Sequence, residues 1–96
     1  MTETADDHAL LAAARAGDER AFGRLVVRHQ PGLESYCHLM LGCPHQAEEA
    51  VRSTVLRAWR GREAGGGPAG ARIWLYRLAT QACLERIEAR DDFPPT

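Results

Sequence analysis

The chain contains no lysine; all 12 of its basic side chains are arginine. With its many alanines and glycines, that usage reads first as a GC-rich coding bias and only second as a choice of the planar fork that grips phosphates and carboxylates. It also has no apolar run near the roughly 20 residues needed to span a bilayer, and no basic-then-apolar segment at its start. A cytoplasmic protein with no membrane partner is expected. Cysteine is scarce as well. Cys37, Cys43 and Cys83 are an odd number without framework spacing, which argues against a disulfide scaffold and for a reducing compartment. No stretch alternates apolar and polar positions with β-branched residues, so strands are not expected. No internal repeat is visible.

What is present is a helical pattern along all 96 residues, a length that suits one domain with a modest core. The formal net charge of -1 hides an asymmetry. Of the 13 carboxylates, Glu3, Asp6, Asp7, Asp91 and Asp92 lie outside residues 8 to 90, so that span keeps 8 against 12 arginines, net +4. A mildly basic body between acidic ends suits a nucleic-acid partner without having the dense basic stripe of a strong one.

Apolar spacing predicts a first helix over 7–16, with Asp6 or Asp7 as N-cap and Gly17 as its stop. Asp18 caps a second, whose inner face is Phe22, Leu25, Val26 and His29, before Pro31-Gly32 kinks or breaks it. Helix resumes through Leu33, Tyr36, Cys37, Met40 and Leu41 to Gly42. Pro44 opens a third helix, with Glu48 and Glu49 near its positive end and Arg57, Arg60 and Arg62 near its negative end. Its apolar stripe is Ala47, Ala50, Val51, Thr54, Val55, Ala58 and Trp59. "REAGGGPAGA", residues 62–71, reads as a loop, because its four glycines and a proline have little to pack and much freedom to lose. A fourth helix runs from about Ala71 to Ala89, burying Trp74, Leu75, Leu78, Ala79, Ala82 and Ile87. The expectation is an all-α compact bundle of four to five helices. One domain covers 1–96, with an ordered core of about 7–90 and a linker starting in the proline-containing 91–96.

Chemistry-bearing clusters are few. Cys37, His38, Cys43 and His45 are zinc-ligand types, yet they lack paired two-residue gaps and Cys37 falls on the core side, so no metal site is expected. Glu48 and Glu49 cannot act as an acid/base pair, since adjacent helical positions diverge by about 100 degrees. Cys83 has no orienting partner in sight. The glycine loop lacks the preceding strand and Gly-Lys-Ser/Thr ending of a P-loop. Neither an enzyme nor a cofactor is expected. Trp59 and Trp74 could stack bases, but both lie on apolar seams and read as anchors joining the last two helices.

Three stretches in order carry a resemblance: "AGDERAF" at 16–22, "LRAW" at 56–59 within "AEEAVRSTVLRAW", and "WLYRLA" at 74–79. Together they resemble region 2 of the extracytoplasmic-function (ECF) sigma factors, the small promoter-recognition subunits of bacterial RNA polymerase, over about residues 8–90. The resemblance implies a helical bundle that docks on the clamp helices of the core polymerase β′ subunit through the third helix, here Glu48, Glu49, Arg52 and Leu56. It further implies that the loop and last helix bind the non-template strand of the promoter -10 element, with Arg60, Arg62, Arg72, Arg77, Thr80 and Gln81 in the relevant stretch. An anti-sigma factor is a further partner that it allows.

Departures accompany the match. Relatives usually carry Asp-x-x-Gln where this chain has Glu49 and Arg52, Arg-Asn where it has Thr80-Gln81, and Asp where it has Glu85. One basic group leaves the DNA face and one amide facing the polymerase becomes a cation. The loop also lacks the aromatic that many relatives place there. A sigma-like protein-interaction domain that no longer reads DNA is therefore the alternative. The resemblance also implies a second, helix-turn-helix domain for the -35 element, for which 96 residues leave no room, so a fragment or a shortened relative is expected.

Overall fold

The structure, a computed structural model, describes residues 3–65 and 70–92, with side chains from 7 to 65 and from 70 to 90. Four α-helices follow in order: α1 (Glu3–Arg15), α2 (Glu19–Leu41), α3 (Pro44–Arg60) and α4 (Gly70–Asp92), with a short 3-10 turn at Arg62–Ala64. No strand occurs among the described residues. Helices α2, α3 and α4 pack pairwise, and α1 lies across α2 and α4.

The interior is built from few large side chains and many alanines. Leu25, Leu33 and Leu75 are fully enclosed together with Cys37, Cys83 and Thr54. Ala14, Ala50, Ala58 and Ala79 are each 0% exposed and let the helix backbones approach closely. Thr54, the one polar side chain fully buried on α3, returns its hydroxyl proton to the carbonyl of Ala50 at 2.7 Å. A satisfied donor removes most of the penalty for burying it.

Helix ends follow the expected chemistry at Asp18, whose carboxylate accepts from the backbone N–H of Arg20 and Ala21 at 3.0 and 3.1 Å. At the end of α1, Gly17 N–H bonds the carbonyl of Ala14 and Asp18 N–H that of Ala13, the paired bonds of a Schellman stop. The start of α1 differs from the sequence reading. The helix begins at Glu3, so Asp7 is an interior position and not a cap. Its carboxylate is buried and receives His29 Nε2 of α2 at 2.8 Å, with Arg28 Nε at 3.4 Å.

The break expected at Pro31-Gly32 does not occur, and α2 runs unbroken for 23 residues. Pro31 removes only the bond to the carbonyl four residues earlier, while Leu25 and Leu33, both fully buried, hold the helix to the core on either side. Gly32 serves a close approach instead: a Cβ there would collide with the hydroxyl of Tyr76 on α4. Residue 32 is small because α4 crosses it.

Two further boundaries shift. The first turn of α3 holds no acid, so Glu48 and Glu49 sit beyond the turn where the helix dipole acts strongly. Within the expected 62–71 loop, 62–64 form the 3-10 turn and Gly70 and Ala71 belong to α4, while 66–69 lie outside the described residues. Helix α4 continues past Ala89 to Asp92, through the two aspartates assigned to a linker, and residues 93–96 lie outside the described residues.

Candidate docking and nucleic-acid interface

Helix α3 is amphipathic, and its stripe of Ala47, Ala50, Val51, Thr54 and Ala58 is buried. Glu48, Arg52 and Leu56, spaced four apart, are left on the outside of the same helix, all exposed. Beside them α2 and α3 splay into an open groove of about 770 Å³. Phe22 and Val26 of α2 face Val51, Val55, Leu56 and Trp59 of α3 across it. Glu19, Gln30 and Arg52 also line it and bring its polar groups. An apolar groove edged by charges of both signs is the shape that accepts an amphipathic helix.

Glu49 is separated from that face. One residue on from Glu48, it turns toward α4, where Arg86 Nη1 lies 2.9 Å and His45 Nε2 3.1 Å from its carboxylate oxygens. The same seam holds Arg57 paired with Glu85, and Arg90 bonded to Gln46 and, at 2.9 Å, to the carbonyl of Leu41. The Arg57 guanidinium keeps the Glu85 carboxyl below its ordinary pKa, chiefly through their hydrogen bond. Glu85 thus reaches across to α3. Of the four residues expected to meet the polymerase, three share a face and the fourth braces α4.

Trp59 meets Phe22 of α2 with ring centroids 5.1 Å apart, and both tryptophans pack on the main apolar cluster, to which α2, α3 and α4 all contribute. Arg62 lies over the Trp59 ring, guanidinium 3.9 Å from its centroid, and donates to the Trp59 carbonyl at 2.8 Å. Trp74, on α4, packs against both apolar clusters of the molecule.

Arg60, at the end of α3, and Arg77 and Gln81, on α4, are exposed. Arg77 and Gln81 share an outward stripe with Ile73 and Leu84, both nearly half exposed. Arg72 lies on a second stripe, rotated from Arg77 by about 140 degrees, with its guanidinium 5.6 Å from the Tyr76 ring. Thr80 falls between the two stripes and points inward: its hydroxyl donates to the Tyr76 carbonyl at 2.8 Å and accepts from Tyr36 Oη at 2.6 Å. The six residues expected at DNA therefore fall into a free group, Arg60, Arg77 and Gln81, and a group already engaged by the fold, Arg62, Arg72 and Thr80.

The zinc-type residues disperse. Cys37 is sealed in the core beside Cys83, Cys43 precedes the first turn of α3, and His38 and His45 are exposed. Among the described residues no three side chains of metal-ligating type gather. No helix among them is long and apolar enough to cross a membrane.

Residues 25–92 match the Sigma-70 region 2 family, and the chain belongs to it. Among curated proteins it is 34% identical over 88 residues to the ECF RNA polymerase sigma factor SigM of Mycobacterium tuberculosis, covering 92% of this chain and 45% of that one. It is 43% identical over 58 residues to SigG of the same organism, covering 60% of this chain and 16% of that one. With SigW of Bacillus subtilis the figures are 29% over 76 residues, 79% and 41%. The chain thus spans half or less of the length of these relatives. In structure it is similar to an engineered region 2 of sigmaE, solved by NMR in complex with GTAAAA, with a TM-score of 0.82, 25% identity and 95% of each chain covered.

Proposed function

We propose that this chain is the part of an ECF sigma factor that docks on core RNA polymerase and reads the promoter -10 element. The observation carrying the reading is the likeness, over 95% of the chain, to a region 2 solved with a bound oligonucleotide. In this reading the groove between α2 and α3, with Arg52 and Leu56 in its wall and Glu48 one turn away on α3, receives the clamp helices of β′. Leu56, 47% exposed beside that groove, supplies apolar area, while Glu48 and Arg52 set orientation through charge. Glu49 acts indirectly, by holding α4 against α3.

The connection between α3 and α4 and the outward stripe of α4 would take the non-template strand. Arg60 and Arg77 neutralise phosphates and Gln81 offers an amide to a base edge or a sugar. A body with net +4 binds such a strand weakly alone, so docking on the polymerase supplies the remaining affinity. The protein would act in the cytoplasm, and an anti-sigma factor would compete for the same groove.

Titration of the chain with a β′ clamp-helix fragment tests the docking half. Leu56→Lys should weaken binding at least about tenfold while the helical circular-dichroism signal and melting temperature stay at wild-type values. Unchanged affinity would remove the groove from the reading.

A further inference from the structure

Arg15, in the last turn of α1, donates from Nη2 to the carbonyl of Gly65, 50 residues away in sequence. That carbonyl belongs to the last described residue on the α3 side of the connection to α4. Gly65 is buried, and its own N–H closes the 3-10 turn on the carbonyl of Arg62 at 3.0 Å. Its Cα rests on the indole of Trp74: a Cβ there would come within 2.5 to 2.8 Å of Trp74 Cζ2, Cη2 and Cε2. Trp74 in turn packs with Leu11 of α1, Leu25 of α2 and Ala71 of α4, the smaller of the two apolar clusters.

We propose that Arg15 is a positioning residue for promoter reading: by holding Gly65 down on Trp74 it fixes where the exit from α3 ends, and so sets base discrimination at the -10 element. The inference rests on the reading above and extends it to α1, a helix to which that reading gives no contact with DNA or polymerase. Glycines flank this point, and a glycine-rich backbone does not hold a conformation by itself. A buried carbonyl also needs a donor, and a guanidinium gives a stronger hydrogen bond than a neutral group. Arg62, whose guanidinium covers Trp59, fastens the same exit from the α3 side, one turn earlier. The connection is thus pinned at two successive points by arginines with different platforms. An arginine acting through Gly65 should change how bases are told apart and leave polymerase docking alone, because Arg15, Gly65 and Trp74 are not among the residues lining the groove.

The test uses core polymerase assembled with the full-length factor, and compares Arg15→Ala, Arg15→Lys, Gly65→Ala and the charge-matched control Arg24→Ala. Two quantities are read: the ratio of open-complex formation on matched and single-base-altered -10 templates, and amide exchange at residues 61–65. Arg15→Ala should shrink the template ratio at least about fivefold and speed exchange at Ala64 and Gly65 about tenfold. Affinity for the β′ fragment should stay within about twofold. Arg15→Lys should recover part of both effects, and Gly65→Ala, which cannot keep its seat on Trp74, should reduce the ratio as Arg15→Ala does. Arg24→Ala should leave the ratio at the wild-type value. An unchanged template ratio in Arg15→Ala, with the wild-type enzyme discriminating normally, overturns the inference alone. So does an equal loss in Arg24→Ala, which would mark a charge effect. A wild-type enzyme that discriminates between no templates overturns the promoter reading and this inference with it.

Discussion

Arg86 of α4 sets its Nη1 2.9 Å from Oε1 of Glu49 on α3, and the second oxygen of the same carboxylate faces His45 Nε2 at 3.1 Å. The neighbouring carboxylate, Glu48, is exposed on the other side of the helix. Two adjacent acids that look equivalent in the sequence therefore have different tasks. Glu49→Lys, which places a second cation before Arg86, should lower stability by about 1 kcal/mol, a typical scale for a partly exposed pair. Glu48→Lys should leave stability within about 0.5 kcal/mol of wild type and weaken docking on a β′ clamp-helix fragment severalfold. Urea unfolding and a binding titration on both variants separate these outcomes; a Glu49→Lys chain of unchanged stability would show that the pair does nothing for the fold.

Trp59 has two structural partners at its ring, Phe22 at 5.1 Å and Arg62 at 3.9 Å. Trp59→Ala should cost about 3 to 5 kcal/mol, a large part of the stability of a domain this size. Trp59→Phe keeps an aromatic against Phe22 and should cost less than half as much. Thermal melts followed by circular dichroism check both, and a Trp59→Ala chain that melts normally would remove its role as an anchor.

How much of this could be read beforehand depends on the range of the interaction. The all-helical order, the Asp18 cap and, within the α3 stripe, Ala47, Ala50, Val51, Thr54 and Ala58 are local patterns, and they stand in the structure as expected. Pro31-Gly32 failed as a local signal because the packing of Leu25 and Leu33 carries α2 through it, and Gly32 answers to Tyr76 on another helix. Asp7 likewise resembles a cap until His29 is seen beside it. The outer face of α3 was legible as a face, through the exposed Glu48, Arg52 and Leu56, but the turning of Glu49 toward Arg86 was not. Thr80 lies in the stretch that carries the resemblance, yet Tyr36, 44 residues away, takes its hydroxyl inward. Arg15 gave no signal at all. Its partner is a backbone carbonyl, which no residue type marks.

The Tyr36 and Thr80 hydroxyls, 2.6 Å apart, join α2 to α4 beside the edge-on Tyr36 and Tyr76 rings. Tyr36→Phe should cost about 1 kcal/mol, and Tyr36→Phe combined with Thr80→Val less than the sum of the two single changes, because each single variant strands the other's partner. Strict additivity in a double-mutant cycle would show that the two hydroxyls are not coupled.

Burial pushes the Cys37 thiol from its ordinary 9.0 up to about 12, and the hydrogen bond and charge of the adjoining Cys83 thiol add in the same direction. A raised thiol pKa in the folded state means that the unfolded chain loses this proton first. The stabilising effect is therefore fully present below pH 9 and falls as pH rises from 9 toward 12. Stability should decline over that window, and the part of the decline due to this group should vanish in Cys37→Ala. At pH 8, a thiol reagent should label Cys43 in the native chain well before Cys37 and Cys83, and all three once denatured. Rapid native labelling of Cys37 would contradict the sealed core.

Promoter selection by the assembled polymerase bears most directly on the reading of this chain as an ECF sigma domain. Holoenzyme made with the full-length factor is offered a library randomised across the -10 element, first with the wild-type sequence and then with residues 62–71 replaced by those of another family member. The expected result is a defined base preference for the wild type, a different preference after the replacement, and, for Arg77→Ala, a similar weakening on every sequence, as a phosphate contact gives. A wild-type holoenzyme that opens all library members equally, with no response to the replacement, would contradict it.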